Sequence, residues 1–150
     1  MEGADHLVNH IMISPCGQRF MFLHRWFKKG VRYDALMLCD KDGKNLTCLA
    51  DSGVVSHCFW KSKNEIVAYL QDEKLGAGYF LIHTSTGKRK SILNLSHLGD
   101  GHPHVYGDKM LIDTYPNKAR MKELLTYDFN TGLISTVGEF FESLQFYGES

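Results

Sequence analysis

Short apolar stretches separated by polar turns run the length of the chain, and no helical spacing is sustained across them. Arg19 to Phe27, rich in Phe, Met and Leu, reads as a strand, and Lys28-Lys29-Gly30 as the turn after it. Tyr33 to Asp40 is the next strand. Lys41-Asp42-Gly43-Lys44 has the Asp-Gly core of a hairpin turn, and Asn45 to Ala50 makes an outer strand. The same order returns twice. Glu65 to Gln71, Tyr79 to His83 and Ser91 to Leu95 predict three strands, with Ser85-Thr86-Gly87 turning between the last two. Lys109 to Tyr115, Glu123 to Asp128 and Leu133 to Val137 predict three more, with Asn130-Thr131-Gly132 as the turn. Lys118 to Leu125 could pass for a short turn of helix.

Two landmarks share one period. The histidines of Asn9-His10-Ile11-Met12, Ser56-His57-Cys58-Phe59 and Gly101-His102-Pro103-His104 are 47 and 45 residues apart. The turn glycines Gly43, Gly87 and Gly132 are 44 and 45 apart. A strand-rich repeat of this length is that of propeller blades. The segment behind each leading histidine supplies the innermost strand of its unit. The fold expected is therefore all-β: a β-propeller of about three four-stranded antiparallel blades, at approximately 9–55, 56–100 and 101–146. Three blades leave a ring incomplete, with exposed faces and edges. Further blades of a longer chain, or association of copies, would complete it. The run Phe146-Tyr147-Gly148-Glu149-Ser150 has no capping signal, which favours a piece of a longer protein.

Composition narrows the function classes. The 150 residues are 43% hydrophobic and 23% charged, which excludes a disordered tail. Seventeen basic residues balance seventeen acidic ones, so a broad surface for nucleic acid or anionic membrane is not expected. Lys88-Arg89-Lys90 is a solvated turn, and Gly76-Ala77-Gly78 lacks the strand-then-helix setting of a phosphate loop. No apolar run approaches a membrane helix, and the first ten residues do not read as a signal peptide. Cys16, Cys39, Cys48 and Cys58 form no CxxC pair and are expected as reduced, mostly buried thiols of a cytoplasmic protein. Eight histidines are many for this length.

Ile13-Ser14-Pro15-Cys16-Gly17-Gln18-Arg19-Phe20 resembles the Ser-Pro-Asp-Gly-Lys turn of TolB-type propeller repeats, with Cys16 at the usual Asp position. His24-Arg25-Trp26-Phe27, Val55-Ser56-His57-Cys58-Phe59-Trp60, Gly101-His102-Pro103 and Leu111-Ile112-Asp113-Thr114-Tyr115-Pro116 resemble a subgroup close to the oligogalacturonate lyases. That resemblance implies a cytoplasmic propeller that cleaves short uronate chains by β-elimination. It implies a divalent metal, usually manganese, near the central channel. His57 falls at the place of the base and His102 at the first metal histidine. Arg32 is the counterpart of the family's arginine, with Arg25 as the alternative. His102-Pro103-His104 has the family's His-x-His form, but Gly99 stands where a Gln is needed, so the metal site is not complete here.

The residue types suit that chemistry. A base of near-neutral pKa removes the proton beside a uronate carboxylate, and histidine has that pKa. A divalent ion or an arginine neutralises the charge that builds on the carboxylate. His10, His57 and His102 hold equivalent places in successive blades, which converge on one mouth of the channel. His10 and Arg25 are therefore candidate substrate contacts, His57 and Arg32 candidate catalytic residues, and His102 and His104 candidate metal ligands. The same histidines could instead close turns by bonding backbone, His104 could be a plain strand residue, and Asp113 with Arg120 could form a structural pair. Trp26, Phe27, Tyr33, Trp60 and Tyr115 read as blade packing. The competing function is a non-catalytic propeller that binds a sugar or protein partner through the same mouth.

Overall fold

The computed structural model describes residues 3–146. Its strands are β1 (Asp5–Ile13), β2 (Arg19–Lys28), β3 (Val31–Asp40) and β4 (Thr47–Gly53) in the first sheet. The second holds β5 (Val55–Ser62), β6 (Glu65–Asp72), β7 (Gly76–His83) and β8 (Arg89–Ser91). The third holds β9 (Pro103–Tyr106), β10 (Lys109–Asp113), β11 (Met121–Asp128) and β12 (Ile134–Phe141). Each sheet is an antiparallel meander in chain order, so each is one blade. The inner strands β1, β5 and β9 are neighbours and line the inside of the arc.

Alternation decides what each blade buries. Met21, Leu23, Leu36 and Leu38 of blade one meet Cys58, Trp60, Ile66, Ala68, Phe80 and Ile82 of blade two in one core. Val67 and Tyr79, on the opposite side of blade two, meet Met110, Ile112 and Tyr127 of blade three in a second core. Polar ties cross the same seams. The Trp60 indole donates to the Met12 carbonyl at 3.1 Å, and Arg89 donates to that of Leu49 at 2.9 Å. Between blades two and three, the Tyr79 hydroxyl donates to the Gly101 carbonyl at 3.0 Å.

Several elements differ from expectation. Ser91 to Leu95 is not one strand: β8 stops at Ser91, and Leu93–Leu95 forms a 3₁₀ turn. That turn lets both Ile92 and Leu95 enter the core between blades two and three, which an alternating strand would not allow. No helix forms from Lys118 to Leu125. The Asn117 side chain caps a turn by accepting from the Ala119 and Met121 N–H groups, and β11 follows. All four cysteines are free, but only Cys39 and Cys58 are buried, whereas Cys16 and Cys48 are exposed. Burial pushes the Cys58 thiol up to about 12. Residues 147–150 of the C-terminal run read for a cap lie outside the described residues.

Candidate functional site

The leading histidines are presented by breaks in the inner strands. In β1 the pairing with β2 slips between Asn9 and Met12, and His10 takes the left-handed φ of 52°. In β5 the pairing with β6 slips between Val55 and Cys58, around His57. Such bulges re-aim side chains next to functional sites. His102 lies just before β9, after Gly101. A Cβ on Gly101 would stand 1.8 Å from the Asp113 carbonyl oxygen, so only glycine allows this close approach of loop to β10.

The three imidazoles converge. His57 and His102 have ring centroids 3.9 Å apart, and His10 meets His57 edge-on at 5.4 Å. Tyr115 completes the group at 6.3 Å from His57 and 6.2 Å from His102. A carboxylate backs each of two rings. His57 Nδ1 is 3.1 Å from Asp100 Oδ1, which also accepts the Gly101 N–H at 2.9 Å. His102 Nδ1 lies 3.0 and 3.1 Å from the two Asp113 oxygens, and its backbone N–H donates to Oδ1 at 2.6 Å. With Nδ1 engaged, Nε2 of each ring points away from its carboxylate and is the atom available to a ligand.

Electrostatics follow from this crowding. Burial lowers the pKa of His10 below 6.5, and the charges of His57, Arg25 and His102 add to the effect against Asp100. Burial opposes ionisation of Asp100, but His57, Ser56 and the Gly101 N–H outweigh it and hold its carboxyl below the usual range. Burial, then Asp100 and Asp113, raise Tyr115, so its hydroxyl stays a donor.

Arg25 and Arg32 share one buried anchor. Arg25 Nε is 2.5 Å from Asp34 Oδ1, and Arg32 reaches Oδ2 with Nε and Nη2, each at 2.9 Å. The Arg32 side chain keeps 41% of its surface exposed against 15% for Arg25, so it is the freer to take a ligand. His104 is placed differently: its ring packs on Phe59 at 4.4 Å. Among the described residues, no group of three His, Cys, Asp or Glu side chains is arranged to hold a metal ion.

Asp100 and Tyr115 were not read from the sequence as site residues. The sequence offers Asp113 and Arg120 as a possible structural pair; in the structure Asp113 holds His102, while Arg120 reaches Glu142 at 3.3 Å. The available signal was Asp113 itself, a charge that interrupts the apolar strand Met110-Leu111-Ile112. A small cleft beside the rings is lined by His102, Asp113, Thr114, Tyr115 and Lys122. Larger clefts, of about 380 and 390 Å³, lie elsewhere, at Asp51, Asp72 and Arg89 and at Met12, Trp60 and Tyr106.

No protein-family model matches the chain, and no curated protein matches it. Solved structures do. TolB from Acinetobacter baumannii superposes with a TM-score of 0.58 at 14% identity, over 90% of this chain and 46% of that one. An acylaminoacyl peptidase from Pyrococcus horikoshii gives 0.56 at 12% identity, over 87% of this chain and 25% of that one. An acylaminoacyl peptidase in complex with Z-Gly-Gly-Phe-chloromethyl ketone gives 0.57 at 11%, over the same shares. The chain thus spans less than half the length of these structures. The likeness is one of fold: three four-stranded antiparallel sheets of a partial β-propeller.

Proposed function

We propose that the histidine cluster is a uronate-binding site that supports β-elimination on short acidic sugar chains. The observation that carries this reading is the His57–Asp100 pair set against His102 and Tyr115. Asp100 fixes the tautomer of His57 with the proton on Nδ1, leaving Nε2 as the base. That nitrogen takes the proton next to the sugar carboxylate. The electron pair forms the ring double bond, and the glycosidic C–O bond on the adjacent carbon breaks. The leaving oxygen takes up a proton, for which the Tyr115 hydroxyl is the nearby donor. Arg32 steadies the carboxylate as charge gathers on it. Manganese, implied by the resemblance, would need ligands beyond those gathered here, and no step is assigned to it.

A binding role without cleavage is the second reading. It is favoured by the way Asp100 and Gly101 tie His57 and Tyr79 across the seam between blades two and three, a structural job for the same groups. One experiment decides between them. The protein at its full natural length is mixed with di- and tri-galacturonate, with and without manganese, and followed at the ultraviolet band of unsaturated uronates. The lyase reading expects absorbance to rise, and His57→Asn to slow it by roughly 10²–10⁴-fold. Saturable binding without product, weakened in Arg32→Ala, gives the second reading. Neither signal overturns both.

A further inference from the structure

We propose that the sugar joined to the uronate through the leaving oxygen sits in a second cleft beside Tyr115 and carries no carboxylate. The preferred substrate then links a uronate to a neutral sugar. This rests on the uronate reading of the histidine cluster.

Tyr115 is a wall shared by two clefts. On one side, with His102, Asp113 and Lys122, the space is about 20 Å³, room for little more than a water. On the other, a cleft of about 210 Å³ opens between His97 and Leu98, in the loop after the 3₁₀ turn, and Met121 and Glu123 of β11. Thr114 and Tyr115 belong to both. In the proposed reaction Tyr115 protonates the oxygen that joins two sugars. The uronate on one side of that oxygen is held by its carboxylate at Arg32 and the histidines. The sugar on the other side therefore runs along Tyr115, and of the two clefts only the larger has room for a ring.

The lining suits a sugar. Leu98 and Met121 offer apolar ground to ring C–H groups. Thr114 Oγ1 accepts the Glu123 N–H at 2.9 Å and keeps its own hydrogen to donate. Asn117 Oδ1 accepts from the Ala119 and Met121 N–H groups, which fixes the amide and leaves Nδ2 to donate elsewhere.

Charge sets the class of sugar. Glu123 lines the cleft, and Glu139 stands directly opposite it across β11 and β12. Like charges so placed destabilise a sheet. Among the described residues neither carboxylate has an ion-pair partner, and the neighbouring Lys122 is held by Glu142 at 2.8 Å. The two sides of Tyr115 are thus of opposite character. Arg32 and the imidazoles attract a carboxylate on the histidine side, whereas Glu123 repels one in the larger cleft and accepts hydroxyl hydrogens instead.

The test is calorimetric titration of the protein at its full natural length with two disaccharides that differ in one group. Galactosyl-(1→4)-galacturonate has a hydroxymethyl group where digalacturonate has its second carboxylate. The galactosyl compound should bind roughly five- to tenfold more tightly, and the gap should narrow as salt is raised. Glu123→Gln should strengthen digalacturonate binding and bring the ratio of the two affinities to about one, a change that a purely structural role would not produce. Circular dichroism checks the fold, and Glu139→Gln serves if the first variant does not fold. Equal binding by the wild type, tighter binding of digalacturonate, or a preference that survives the Gln substitution overturns this inference and leaves the uronate reading standing. Binding of neither compound overturns both.

Discussion

At the scale of single residues, the site is set by pairs that are distant in sequence. Asp100 holds the His57 ring, and His57 with Arg25 and His102 bears on His10. Replacing Asp100 with Asn keeps the shape but lets the ring invert its tautomer, and orienting partners of this kind are worth roughly 10–100-fold in activity. On the lyase reading proposed above, Asp100→Asn lowers turnover on oligouronides by that amount with little change in KM, whereas a purely structural role would show only in the melting temperature. The same pairs set the acid limb of stability. His10 has a folded pKa below 6.5, so the unfolded chain binds more protons as pH falls past that value, and stability drops with pH. Asp100 is also depressed, so its contribution is present above its ordinary 3.8 and is lost as pH falls through its folded value. Denaturant titrations between pH 7.5 and about pH 5.5 should show a falling stability that His10→Asn flattens; an unchanged slope would remove His10 from this account. The leading histidines were legible because the repeat places them every 45 or so residues. Their carboxylates were not, because Asp100 reaches His57 across a seam between blades that no local pattern records.

At the scale of elements, most strands were legible and the joints were not. Alternation and turn glycines marked β2, β3, β6 and β10 closely. The bulges at His10 and His57 leave no trace in a hydrophobic pattern, since each inserts a residue without changing what is apolar. The 3₁₀ turn after β8 is hidden in the sequence for a related reason: Ile92 and Leu95 are both buried, and spacing alone does not say which local shape buries them. Gly101 is the joint with the sharpest consequence. A methyl group there would collide with backbone rather than with a movable side chain. Gly101→Ala should cost about 3 kcal/mol, at the upper end of overpacking, and should displace the loop that holds both Asp100 and His102. Tyr79→Phe, which removes only a hydroxyl donated to that same Gly101 carbonyl, should cost about 1 kcal/mol. Thermal unfolding of the two variants checks the order; equal effects would mean that the close approach is relieved by easy movement of β10.

At the scale of the whole molecule, the three blades are unequal although they share one plan. Blade two is covered on both sides, by the two cores that contain Ile66, Ala68 and Phe80 on one face and Val67 and Tyr79 on the other. Blades one and three are each covered on one side, and their other faces expose Ile13, Leu111 and Phe140. In a linear array of repeats, stability is close to a sum of each unit's own term and its contacts with neighbours, so the middle unit opens last. Amide exchange should therefore be slowest in β6 and β7 and faster in β1 and β12. Trp60 is the largest side chain on the seam between blades one and two, and Trp60→Ala should cost roughly 3–5 kcal/mol. That loss should fall first on blade one, raising exchange in β2 and β3 more than in β10 and β11. Uniform loss of protection over all three blades would instead show that the arc unfolds as one unit.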